Sequence, residues 1–152
     1  VLTEQSGWLT PLLQSIHIVM IGVVFVSILM IVLRILGRLR TDETFEQVWR
    51  RFAPWMWVGV VIMAITGVVL TIGEPVREFT SLSFWLKMAL IVVGLATVTY
   101  FHRSLAGHTG NDFPSGIKTA AVVTVAIWVF IIFLGRAIAY DVAVWGTASF
   151  AA

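Results

Sequence analysis

Four long stretches almost free of charge constrain this chain more than any other feature. No Asp, Glu, Lys or Arg occurs from Gln5 to Leu33, and a second uncharged window runs from Phe52 to Gly73. A third, Leu82 to His102, is interrupted only by Lys87, and a fourth, Ile117 to Tyr140, carries Lys118 and Arg136 near its ends. A helix needs about 20 apolar residues to cross the hydrocarbon layer, so each window suffices for one crossing. In 152 residues four crossings leave room only for short connections. The composition agrees, with 59% hydrophobic and 12% charged residues, about half the charged share of a soluble domain. The expected fold is all-α, an integral membrane four-helix up-down bundle forming a single domain over 1–152, with spans at about 10–36, 52–73, 82–102 and 117–140.

The first window is too long for the apolar region of a signal peptide and follows Glu4 rather than positive charge, so it reads as a true span. Thr10 before Pro11 is the expected N-cap of the first helix, and Asp112 or Ser115 that of the fourth. Gly73-Glu74-Pro75 marks a turn after the second span. Arg34, Arg38, Arg40, Arg50, Arg51, Arg103 and Lys118 make seven of the ten basic residues, and all fall at one side of the alternating spans. The positive-inside rule places that side in the cytoplasm and both termini outside. Trp8, Trp85 and Trp145 fall at the outer interface and Trp49, Trp55 and Trp57 at the inner one, as interfacial tryptophans do. The basic residues flank spans rather than forming a run, so they predict contact with the lipid bilayer, not nucleic acid. Arg34, Arg38 and Arg40 are expected to anchor topology or touch anionic headgroups. No two glycines stand four apart, so the close-packing helix motif is absent, and the sequence leaves open a homo-oligomer or other membrane subunits as partners.

Chemistry must come from the polar residues inside the spans, which are costly there and usually face the bundle interior. There are no cysteines, so thiolate metal sites and Fe–S clusters drop out. There is also no phosphate loop, no H-E-x-x-H and no serine with a His and an acid at matched depth, which leaves no hydrolase or ATP-driven pump and no catalytic residue to name. At 1.5 Å per residue, His17 lies roughly 10 Å in from the outer end of the first span, and Lys87 and Met88 roughly 5 to 8 Å in on the third. His102 lies about 22 Å from Lys87 along that helix, so His17 and His102 do not ligate one haem iron in straight antiparallel spans. An outer group of His17, Met20, Met63, Lys87 and Met88 separates from an inner group of His102 and His108. Lys87, Met88, Ile91, Leu95, Val98 and His102 fall within about 60° of one line, the expected inward face of the third span. His17, Met20, Ile21, Val24 and Ile28 form the matching face of the first.

Two chemistries suit an outer His with Met and Lys nearby. Haem b takes His with Met, Lys or a second His as axial ligands, which makes His17, Lys87 and His102 cofactor-binding candidates. Imidazole with thioether also suits Cu(I), through His17, Met20, Met63, Met88 and, at the inner side, His108. Each residue has a plainer role as well. Methionines fill packing gaps, an intramembrane His hydrogen-bonds a neighbouring helix, His102 sits close to water, and His108 belongs to a glycine-rich loop. Lys87 and Arg136 either neutralise haem propionates or pair with Glu74, Glu78 or Asp141.

Several runs carry a family likeness: F-x-x-W-x-W-x-G from Phe52 to Gly59, T-G-V-V-L from Thr66 to Leu70, the stretch from Phe84 to His102, and G-R-A-I-A-Y from Gly135 to Tyr140. With His17 in the first span, the chain resembles an uncharacterised family of bacterial four-helix membrane proteins. It is similar in pattern to the membrane domain of copper-resistance D proteins and, more distantly, to HemJ-type protoporphyrinogen oxidases. The HemJ likeness implies haem b at a first-span His and a Lys opening the third span, the places of His17 and Lys87. Asn111-Asp112-Phe113-Pro114 looks like the Asn-Glu-x-Pro stretch of that family with Asp in place of Glu, while the tail from Gly135 departs from it. The copper-resistance likeness implies copper handling with His17 and Met20 at the matching positions. The expectation is a small haem-b or metal-binding subunit in redox or electron transfer. The alternatives are a copper permeation or delivery protein and a non-catalytic structural subunit of a larger membrane complex.

Overall fold

The computed structural model describes residues 7–149; Glu4, which precedes the first uncharged window, lies outside them. The described residues form helices α1 (Leu9–Ile35), α2 (Phe45–Gly73), α3 (Pro75–Phe79), α4 (Leu82–Ser104), α5 (Ser115–Ala137) and α6 (Asp141–Trp145), and no strand. Short 3-10 turns at Ile138–Tyr140 and Gly146–Ala148 flank α6. Among the described residues four helices are long and apolar enough to cross a membrane, so the chain is a multi-pass membrane protein built as a helical bundle.

Local chemistry sets the boundaries. The second helix starts at Phe45 rather than Phe52 because Thr44 and Gln47 close a capping box: the Gln47 amide donates to the Thr44 hydroxyl at 3.3 Å, and the Thr44 amide to the Gln47 side chain at 2.8 Å. The charges of Glu46, Arg50 and Arg51 hide this extension from a hydropathy reading. Pro54 lies inside α2 and has no N–H to offer the Arg50 carbonyl. Helix α1 is closed just past its end by Gly37, whose φ of +68° lets the Arg38 amide turn back to the Leu33 carbonyl at 2.9 Å.

Two expected caps are not used. Helix α1 already begins at Leu9, so Thr10 and Pro11 lie within its first turn, where amides have no helical acceptor and a proline is tolerated. Helix α5 follows Pro114, and Ser115 is its first residue, with no side-chain cap from either Ser115 or Asp112. Its free amides are met instead by the Pro114 carbonyl, which accepts from Ile117 and Lys118 at 3.0 and 3.1 Å.

Helices α1 and α2 pack as one antiparallel hairpin, α4 and α5 as another, and α1 against α5 joins them. Helix α1 supplies the most buried face, with Val24, Ile28, Ile31, Val32 and Ile35 set against Phe45, Val48, Met56 and Met63 of α2, Val98 and Phe101 of α4, and Ala121, Trp128 and Ile131 of α5. In lipid such packing rests on close fit rather than on hydrophobic exclusion. Single glycines provide that fit. A Cβ on Gly59 would stand 2.7 Å from the Val24 side chain, and one on Gly94 2.9 Å from the Trp128 indole nitrogen.

Both ends of the bundle are tied. At one end Arg34 of α1 reaches Asn111 in the α4–α5 connection, so the α1–α2 and α4–α5 connections share that end. At the other, the Asp141 carboxylate accepts from the Ser81 and Ser149 hydroxyls and from the amides of Leu82 and Ser83. It thereby caps α4 together with Ser81, whose hydroxyl accepts from the Phe84 amide. The indole N–H of Trp145 donates to the Ser83 hydroxyl at 2.7 Å, which holds α6 against the start of α4.

Candidate functional site

The half of the bundle away from the Arg34 end contains a polar centre built from three helices. His17 of α1 is half-buried, and its Nδ1 lies 2.8 Å from the Thr66 hydroxyl of α2. That hydroxyl has one hydrogen, which it gives to the carbonyls one turn back: Ile62 at 2.9 Å and Met63 at 3.2 Å. Nδ1 is therefore the donor in its bond to Thr66, and the lone pair of the neutral imidazole is on Nε2. The assignment follows from the hydrogen-bond network. The ring lies over Gly67, where a Cβ would stand 3.5 Å from Cε1.

Lys87 of α4 faces the same centre. Its Nζ lies 3.6 Å from the position of a Cβ on Gly135 of α5, and its charge acts on the His17 ring. Among the described residues no carboxylate lies within ion-pair distance of Lys87, although the field of Glu78 reaches it. Lys87, Met63 and Trp128 line a small cavity of about 20 Å³ with Ile21, Val24 and Ile131, which is room for a single water. The indole nitrogen of Trp128 is buried there without a partner.

The structure sets Lys87 and Met63 around one cavity and links His17 through Thr66 to the Met63 carbonyl, while Met20 is half-buried against the core on the His17 face of α1. It does not bring in Met88, which is 43% exposed on the outer side of α4. The inward face of that helix keeps Lys87, Ile91, Leu95 and Val98 of the expected stripe and adds Ser83, Gly94 and Phe101. Gly94 carries no apolar signal, yet the Trp128 indole of α5 packs against it.

The other two histidines have separate neighbours. The His102 ring stacks on Trp49 at 4.4 Å with an interplanar angle of 5°, and its Nε2 lies 3.6 Å from a Glu46 carboxylate oxygen. His108 packs on Phe113 at 4.8 Å and is half-buried rather than solvated. Trp49 and Thr66 lie on one helix about 25 Å apart, which keeps His17 and His102 at opposite ends. Among the described residues no group of three or more His, Asp or Glu is placed to hold a metal.

Arg34 is the residue that sequence reasoning misplaced. It was expected at the lipid surface and is 0% exposed. Its Nε donates to the Glu43 carbonyl and its Nη2 to the Asn111 side chain, both at 2.7 Å, while its guanidinium lies over Phe113. The missed signal was register: 24, 27, 31 and 34 continue one helical stripe. The pairings expected at the outer side also differ. Arg77 takes Glu74 and Glu78, and Arg136 lies over the Tyr140 ring.

Fold and site together define a small multi-pass helical-bundle membrane protein with a polar centre of His, Thr and Lys in the half away from Arg34. The profile of a family of unknown function, DUF6644, matches residues 4–141, and the chain belongs to that family. Neither a curated protein nor a solved structure matches it.

Proposed function

We propose that this protein is a subunit of a bacterial inner membrane that binds a redox-active metal ion through His17 and serves electron transfer or metal handling. The observation that supports it is the chain from His17 through Thr66 to the Ile62 carbonyl. A ligating histidine is typically held in this way, with one ring nitrogen bonded to the protein and the other left as a donor. The resemblance to copper-resistance D proteins points to the same residue.

Size supports an ion over a porphyrin at this centre: cofactor pockets run to about 300–1,000 Å³, whereas the cavity at Lys87 holds about 20 Å³. A single ion does fit the scale of the site. Imidazole from His17 with thioether from Met63 or Met20 is a donor set suited to Cu(I), and bound copper supplies one-electron exchange.

Metal analysis and a reduced-minus-oxidised visible spectrum of protein purified from its native membrane test the reading. Copper near one per chain that is lost in His17→Ala is the expected result. A b-type band that weakens in the same variant would replace copper by haem. A colourless, metal-free sample that retains stoichiometric partners would leave only the role of a structural subunit. Lys87→Met adds a sign: a cation at His17 binds several-fold tighter once the ammonium is gone, whereas an anionic ligand binds more weakly.

A further inference from the structure

Four polar side-chain atoms at the arginine-bearing end are buried and without a partner: Arg34 Nη1, Arg40 Nε, Glu43 Oε2 and His108 Nε2. Native proteins leave few such atoms, and each calls for a water, an ion or a ligand. These belong to one network. Arg34 donates to the Glu43 carbonyl, Arg40 donates to Glu43 Oε1 at 2.8 Å, and Arg51 donates to the same oxygen at 3.0 Å. The Phe113 ring packs against both the Arg34 guanidinium, at 5.2 Å, and the His108 ring. Arg40 also holds a φ of +51°, a left-handed conformation uncommon outside glycine and concentrated at functional sites.

The unpaired atoms specify what would satisfy them. Two guanidinium nitrogens ask for acceptor oxygens, and one carboxylate oxygen asks for a donor. Arg34, Arg40 and Arg51 face Glu43, with Asp42 the other acid acting on Arg34, so the cluster retains a surplus of positive charge that water does not neutralise. Guanidinium matches phosphate oxygens in geometry and charge. The carboxylate beside it accepts from a hydroxyl, which hydrogen phosphate has and sulfate at neutral pH lacks. The side chains of Arg40 and Glu43 are 32% and 20% exposed, so the cluster is reached from their side, while Arg34 is closed over by the α4–α5 connection.

We propose that this end of the bundle binds a phosphate group carrying a hydroxyl donor, held by Arg34 and Arg40 and selected by Glu43. The phosphate comes either from free hydrogen phosphate or from the hydroxyl-bearing headgroup of phosphatidylglycerol, since basic pockets at this depth meet lipid headgroups.

The test uses the intact protein in phosphate-free detergent micelles, titrated calorimetrically with sodium phosphate and sodium sulfate at matched ionic strength. For a free-phosphate site, phosphate binds at least ten-fold tighter than sulfate. Glu43→Gln erases the preference, and Arg40→Gln, a partly exposed change checked for folding by circular dichroism, weakens phosphate at least ten-fold. For a headgroup site, phosphatidylglycerol added to phosphatidylcholine nanodiscs raises the melting temperature and the rise vanishes in Arg40→Gln, with no response to free phosphate. The proposal is overturned by equal responses to phosphate and sulfate with no lipid effect, leaving ordered water as the occupant. It is equally overturned if Arg40→Gln leaves phosphate affinity and the lipid effect unchanged.

Discussion

An imidazole at membrane depth must place its ring hydrogen, and Thr66 decides where it goes. Because the Thr66 hydroxyl already donates to the turn behind it, His17 has a fixed tautomer and a fixed ring plane. Thr66→Val keeps the shape of the side chain and removes the hydroxyl. It is expected to lower metal affinity at His17 about 10- to 100-fold, as loss of an orienting partner does, while Thr66→Ser retains affinity; a metal titration of both variants checks this. At the other end Arg34 acts through burial. Replacing it by Met removes the charge but strands the Glu43 carbonyl and the Asn111 side chain, a loss of about 1–3 kcal/mol measurable as reduced unfolding stability in detergent. His17 was legible in the sequence because a His is conspicuous among apolar residues. Thr66 was not, because a lone Thr in a span looks like any helix-facing hydroxyl until its partner on another helix is known.

Helices meet here at glycines rather than at a repeated small-residue motif. Gly59 accommodates Val24 and Gly94 accommodates Trp128, while Gly67 and Gly135 make room for His17 and Lys87. Val24 is β-branched and stiff about its first torsion, so it yields little to an added methyl group. Gly59→Ala and Gly94→Ala are each expected to cost about 1–3 kcal/mol, the usual penalty of overpacking. Gly22→Ala, where a Cβ meets nothing within 4 Å, serves as the control and leaves stability unchanged or raised by up to about 1 kcal/mol. Thermal unfolding of the three variants in one detergent makes the comparison. The four spans were readable from charge-free windows, and their ends less so. The Thr44–Gln47 box extends α2 back into charged sequence, and α1 starts ahead of its proline.

The whole molecule is two hairpins joined through α1 and α5 and tied at each end by a polar cluster. The ties put the connections after α1 and α4 at one end and the start of α4 with α6 at the other. With seven of ten basic residues at the first end, that end is expected in the cytoplasm. Single cysteines at Arg38 and Gly110 should resist an impermeant thiol reagent added to intact cells, while cysteines at Val76 and Ala143 should react; the reverse pattern would invert the orientation.

Sequence alone determined that this chain has four helices long and apolar enough to cross a membrane, because a helical span needs about 20 mostly apolar residues and such windows are visible in one dimension. It also determined that His17 and His102 stay apart, since rise per residue fixes depth. Tertiary structure decided the rest. It buried Arg34, turned Met88 outward, set Lys87 beside His17 and gave His17 its tautomer. Depth follows from position in a helix, but rotation and neighbours follow from how helices pack, and that depends on glycines and hydroxyls whose partners lie far away in the chain.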